Sequence, residues 1–187
     1  MKRATKKVVS LFATLALLLS LFNGYGAVYA ADVFSVDTLI EAEDTTLGTG
    51  ALVTEDETAS GGKYITSSGE RVDDPATVKN PDIVFTVNIP SDGTYAVYAK
   101  VIILDDGRDS YHFKWDGDAW ETVHPGAKGT NYVWLKLSEK ELTAGDHMFY
   151  WTHRESLAIY DAFFVTADAT KLPAISGGPA ASSEPGS

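Results

Sequence analysis

Between residues 36 and 168 apolar residues recur at every second position, and this period restricts the fold more than any other feature of the chain. Ile83, Phe85, Val87 and Ile89 alternate with Val84, Thr86 and Asn88 before the turn Pro90-Ser91-Asp92-Gly93. Tyr95, Val97, Ala99 and Val101 alternate again up to Asp105-Asp106-Gly107. Tyr111, Phe113 and Trp115 then lead into Asp116-Gly117, and Val133, Leu135 and Leu137 alternate with Tyr132, Trp134 and Lys136. Residues 147–153 and 159–166 complete the series. Successive strand side chains point to opposite faces, so each segment reads as a strand with one buried face. Short alternating strands separated by Gly, Asp and Pro turns predict an all-β chain, a single antiparallel β-sandwich. No segment carries a helical period, and no internal repeat is present.

The two ends differ from this body. Residues 1–7 carry Lys2, Arg3, Lys6 and Lys7, residues 8–22 are an apolar run, and Val28-Tyr29-Ala30 has the small residues of a cleavage site. Residues 1–30 therefore read as a secretory signal, with an uncleaved anchor as the alternative. Residues 31–170 are the expected sandwich. Residues 171–187, rich in Pro, Gly, Ser and Ala, have the composition of a flexible linker or tail, expected to lead into a further module. Loss of the four basic residues of the leader takes the net charge from −11 to −15. Such a chain is a poor partner for nucleic acid or an anionic membrane, both of which need a basic surface. With no cysteine, an exported domain must rely on its core, a metal, or both. A secreted, extracellular or cell-surface monomer is expected.

Two carboxylates stand out at i and i+2 in Leu39-Ile40-Glu41-Ala42-Glu43-Asp44. On a strand, Glu41 and Glu43 would share a face, and adjacent like charges need a cation between them. In the last strand Ile159, Asp161, Phe163 and Val165 share a face by alternation, which places Asp161 in an apolar row. A buried carboxylate is normally paired, protonated or metal-bound. Calcium joining Glu41, Glu43 and Asp161 is one reading; a solvated edge strand with Asp161 capping a turn is the other.

Several motifs occur in a familiar order: Ile40-Glu41-Ala42-Glu43, Ala59-Ser60-Gly61-Gly62-Lys63-Tyr64-Ile65, Gly93-Thr94-Tyr95-Ala96-Val97-Tyr98-Ala99, Asp109-Ser110-Tyr111 running to Asp116-Gly117, Leu142-Thr143-Ala144-Gly145-Asp146-His147 and Tyr160-Asp161-Ala162-Phe163. Together they resemble the carbohydrate-binding modules of families six and thirty-five over nearly all of the folded part. The resemblance implies a jelly roll with a structural calcium. It places the ligands at the side chains of Glu41, Glu43 and Asp161 and the backbone carbonyl of Lys63. A sugar is expected in loops at one end of the sandwich. The Asn that these families often carry just before the final Asp is absent, since Ile159 lies two positions ahead of Asp161.

Sugars stack on aromatic faces and are read by planar polar groups. Tyr132 and Trp134 face outward if Val133, Leu135 and Leu137 are core, and Tyr64 lies beside a turn. Trp115 and Trp151 read as packing residues. Arg154 can grip a carboxylate and Glu155 can accept from hydroxyls, with Arg108 and Asp109 at a neighbouring turn; the bland alternative for Arg154 and Glu155 is a solvated pair. The chain has no Gly-x-Ser-x-Gly elbow, no His-Glu-x-x-His and no zinc-like spacing of His112, His124, His147 and His153. The expected function is a non-catalytic module binding a polysaccharide, which could be acidic, attached to a larger carbohydrate-active enzyme. Alternatives are an adhesion module that binds protein and a small polysaccharide-degrading enzyme.

Overall fold

The computed structural model describes residues 32–126 and 128–175. The signal-peptide reading of residues 1–30 and most of the tail therefore lie outside the described residues. Among the described residues the strands are β1 (Val33–Ser35), β2 (Leu39–Glu41), β3 (Thr46–Leu47), β4 (Ala51–Glu55), β5 (Lys63–Ser67) and β6 (Ile83–Ile89). They continue as β7 (Gly93–Ile102), β8 (Tyr111–Trp115), β9 (Glu121–Val123), β10 (Val133–Leu142), β11 (Gly145–His153) and β12 (Ile159–Thr166). The described helical pieces are single 3-10 turns such as Ala42–Asp44 and Ser60–Gly62.

Two sheets face each other, as the period-two pattern requires. One runs β1-β6-β11-β8-β9, with β3 also on β6; the other runs β10-β7-β12-β5-β4, with β2 also on β12. Pairing is antiparallel apart from the short β1, which runs parallel to β6. The inner faces meet in an aromatic core: Phe85 lies 5.1 Å from Phe149 and 5.2 Å from Phe163, while Tyr111 stacks on Trp151 at 4.7 Å. Trp115 and Trp151 are buried, as the alternation predicts. Rings of this size remove roughly 150–250 Å² each from water. In a chain without disulfides, that burial is the main source of cohesion.

Two β-bulges shift the alternation. In β12 the register against β7 slips between Tyr160 and Ala162, so Tyr160, Phe163 and Val165 enter the core and Asp161 leaves the inner row. The expectation that Asp161 lies inward with Ile159 and Phe163 is thereby corrected. In β10 a slip between Lys136 and Ser138 turns Ser138 inward, where its hydroxyl accepts a hydrogen bond from Trp115 Nε1 at 3.4 Å. The row Val133, Leu135, Leu137 is consequently not deep core: Val133 is 37 % exposed, and the two leucines are partly buried.

Candidate functional site

The last strand has a split edge. β5 pairs with Ile159 and Tyr160, β2 pairs with residues 162–164, and Asp161 stands where the two short strands meet. The 3-10 turns that end β2 and precede β5 close over this point.

Glu41 is the last residue of β2, and Glu43 lies inside the turn Ala42–Asp44. The two glutamates therefore do not share a strand face, contrary to the spacing argument. They approach the same place by another route. Gly61 has φ +62°, and a Cβ there would sit 2.9 Å from Glu43 Oε1 and 3.4 Å from Glu41 Cδ. Only glycine leaves that room. Glu41 Oε1 accepts a hydrogen bond from Ser60 Oγ at 2.9 Å. The Oε2 atoms of Glu41 and Glu43 are buried without a hydrogen-bond partner. Burial raises both carboxyl pKa values, and the charge of Asp161 adds to the effect. Lys63 follows the turn as the exposed first residue of β5.

Asp161, fully buried, is already satisfied. Its Oδ1 accepts from the Ser60 amide at 3.0 Å, and its Oδ2 lies 2.7 Å from Lys100 Nζ. Lys100 is on the face of β7 opposite the core residues Ala99 and Val101, yet it is only 3 % exposed. The Tyr132 ring covers its ammonium, with Nζ 4.8 Å from the ring centroid. Tyr132 is thus buried at 3 % exposure rather than outward, and its hydroxyl has no hydrogen-bond partner. Desolvation and the nearby Asp161 raise its phenol pKa.

A calcium ion, implied by the resemblance, fits part of this arrangement. The unpartnered oxygens of Glu41 and Glu43 are hard donors of the kind calcium takes. Asp161 is turned to the ammonium, and among the described residues no three His, Cys, Asp or Glu side chains converge as a metal site.

The second cluster lies at the loop end of the sandwich. Glu155 is buried, with Oε1 3.0 Å from Arg71 Nη1 and 3.3 Å from Arg154 Nη1, and Oε2 accepting from the Asp109 amide at 2.9 Å. Arg154 also donates to Ser110 Oγ, and Arg71 Nε binds Asp73 at 2.7 Å. The structure joins Arg154, Glu155 and Asp109 in one network, so the solvated-pair alternative fails. Burial is the largest influence on Glu155 and opposes its ionisation, but the Asp109 amide, Ser110 and the two arginines together hold its pKa below the usual value. Burial and the neighbouring Glu155 push Asp109 up. Arg108 instead folds back on Asp105. Arg71 and Asp73 sit in a loop without periodicity, and no sequence signal marked them.

Beside this network the 69–80 loop borders a groove of about 420 Å³ lined by Glu70, Val72, Thr77, Lys79 and Thr152, with Asp82 and His153 among its walls. Asp82 Oδ2 accepts from the His153 amide (2.9 Å), His153 Nδ1 (2.7 Å) and the Tyr160 hydroxyl (2.6 Å). His153 Nε2 meets the Glu70 carbonyl at 3.1 Å, and His112 Nε2 meets that of Val72 at 2.8 Å. Two histidines thus hold one loop.

Trp134, expected to stack on sugar, is engaged within the protein. The Trp134 ring lies edge-on to Phe164 at 6.3 Å, and its indole N–H donates to the Pro173 carbonyl at 2.9 Å. Tyr64 is half-buried on β5.

No family model matches the sequence, and no curated protein is similar to it. Solved structures do share the fold. A family 35 carbohydrate-binding module from Clostridium thermocellum superposes with a TM-score of 0.53 at 21 % identity, covering 70 % of this chain and 98 % of that one. A carbohydrate-binding module from Cellvibrio mixtus lichenase 5A, in complex with cellotriose, gives 0.53 at 22 % identity, covering 71 % and 98 %. The Podospora anserina GH26-CBM35 β-(1,4)-mannanase gives 0.56 at 18 % identity, covering 71 % of this chain and 28 % of the enzyme. The chain therefore has the β-sandwich fold of family 35 and family 6 modules, spanning nearly all of the isolated modules and under a third of that enzyme.

Proposed function

We propose that this chain is a non-catalytic carbohydrate-binding module, secreted after loss of residues 1–30 and attached to a carbohydrate-active enzyme. The observation that carries the reading is the fold, which agrees with isolated carbohydrate-binding modules over 98 % of their length. Its ligand meets the loop end at Arg71 and Arg154. Both guanidinium groups are partly solvent-exposed and are oriented by the buried Glu155 beneath them. Planar, pre-oriented guanidinium groups bind a carboxylate or vicinal hydroxyls in bidentate fashion, which favours an acidic polysaccharide. The buried carboxylates are engaged in holding these groups and the strand seam, which suits a binding role rather than catalysis.

Affinity electrophoresis and calorimetry against a glycan panel that includes uronate polymers test this reading. Saturable binding to an acidic glycan is expected, weakened about tenfold or more by Arg154→Ala, as for the loss of a charge-assisted bond of about 1.5–3 kcal/mol. Absence of binding to every glycan would refute it, and release of a reducing or unsaturated product would refute the non-catalytic part.

Glu41 and Glu43 hold a structural calcium through their unpartnered oxygens. At a free calcium of 100 times Kd, such a site contributes about 2.7 kcal/mol. EDTA is therefore expected to lower the Tm, and an unchanged melt argues against the metal.

A further inference from the structure

The calcium reading leaves one group unexplained, the buried ammonium of Lys100. Its anionic partner among the described residues is Asp161, and both side chains are almost wholly removed from water. The strand geometry fixes the pair. Ala162 is the register partner of Lys100, and the bulge leaves Asp161 unopposed beside it on the same sheet surface. Tyr132 closes the site from above, with its ring face toward the cation. This is a built position for a positive charge, next to the place where Glu41 and Glu43 keep two oxygens unpartnered.

We infer that Lys100 is a resident counter-cation that competes with a divalent cation for Asp161 and so limits how tightly this chain holds calcium. The inference rests on the calcium reading for the identity of that cation. Calcium binds carboxylate oxygens at about 2.3–2.6 Å. An ion at that distance from Asp161 Oδ2 would face an ammonium 2.7 Å from the same oxygen. Two cations so close in a site shielded from water repel strongly. With Asp161 Oδ1 engaged by the Ser60 amide, Oδ2 can join a metal held by the two glutamates only if the ammonium withdraws, and Tyr132 covers that ammonium. With Lys100 in place, a metal has Glu41 and Glu43 alone as carboxylate ligands. The ammonium meanwhile neutralises Asp161 in metal-free protein, so the seam between β2, β5 and β12 closes without calcium.

Lys100→Met keeps an unbranched side chain, one atom shorter, and removes its charge. Metal-free Lys100→Met should melt well below the wild type, because Asp161 is left buried and unpaired. Calcium should bind it about tenfold or more tightly, since affinity rises with the charge count of the ligands, and the Tm gained on adding calcium should exceed that of the wild type. In Lys100→Met/Asp161→Asn, which removes both charges, the metal-free stability should recover while the gain in calcium affinity disappears. Calorimetry with calcium and melts in EDTA and in calcium read each of these quantities on the full chain. If only Lys100→Met binds calcium, the calcium reading of the wild type falls and this inference stands. The inference is overturned if Lys100→Met binds calcium no more tightly than the wild type, if neither binds it, if metal-free Lys100→Met melts at the wild-type temperature, or if it stays unfolded in calcium.

Discussion

Asp82→Ala is expected to lower the Tm by about 6–20 °C. Asp82 Oδ2 alone receives the His153 amide, the His153 ring and the Tyr160 hydroxyl, all within 2.9 Å. His153 and Tyr160 are buried, so none of these donors gains water in exchange. Breaking a buried charged network from one side costs about 3–5 kcal/mol, and each kcal/mol moves the Tm of a domain of this size by roughly 2–4 °C. The damage should spread to the loop that His153 Nε2 holds through the Glu70 carbonyl, visible as faster cleavage near residues 70–72. The effect should also depend on pH. Burial is the largest influence on His153 and opposes its charge, but the hydrogen bond and charge of Asp82, with the Glu70 carbonyl, outweigh it and raise its pKa above 6.5. A group with a raised folded pKa contributes stability that is full below its unfolded value and is lost as pH rises through the folded one. The wild type should thus lose stability as pH climbs above about 6.5, and Asp82→Ala should lose this slope. An Asp82→Ala protein with wild-type Tm and an unchanged slope would contradict the assignment.

Asp161→Ala is expected to cost about as much, and to do so in EDTA as well as in calcium. The loss leaves the Lys100 ammonium under Tyr132 without an anion and the Ser60 amide without an acceptor. Removing one partner of a buried pair costs about 3–5 kcal/mol, whereas replacing both with apolar groups is often neutral. Adding Lys100→Met to Asp161→Ala should therefore return much of the stability, a non-additivity that a double-mutant cycle measures directly. If Asp161→Ala melted normally in EDTA and lost only its response to calcium, Asp161 would be a metal ligand and the ammonium a bystander.

These residues mark where sequence reasoning stops. Period two identified β6–β8 and β10–β12 but not the short β9, and correctly placed Phe85, Trp115, Trp151 and Phe163 inside, because core packing repeats with the pleat. It misplaced Asp161, since one extra residue at a bulge exchanges the two faces from that point on, and a bulge has no composition of its own. Leu137, at the slip in β10, packs against the core but is only partly buried. Lys100 sits at an alternating position that normally belongs to solvent, and the Tyr132 ring that covers it comes from a segment distant in sequence. Trp134 read as exposed because its cover, Phe164 and the Pro173 carbonyl, is also remote in the chain.

What the sequence determined by itself was the all-β class, the approximate positions of β6–β8 and β10–β12, and the carboxylates Glu41, Glu43 and Asp161 as residues needing positive charge. The tertiary structure decided which positive charge each receives. Asp161 takes the Lys100 ammonium, while Glu41 and Glu43 keep two oxygens unpartnered beside Gly61. That division depends on the meeting of β2, β5, β7 and β12 at one bulge. Alternation along a strand is a local steric rule written in neighbouring residues, but the pairing of buried charges is set by contacts between strands, which only the closed sandwich brings together.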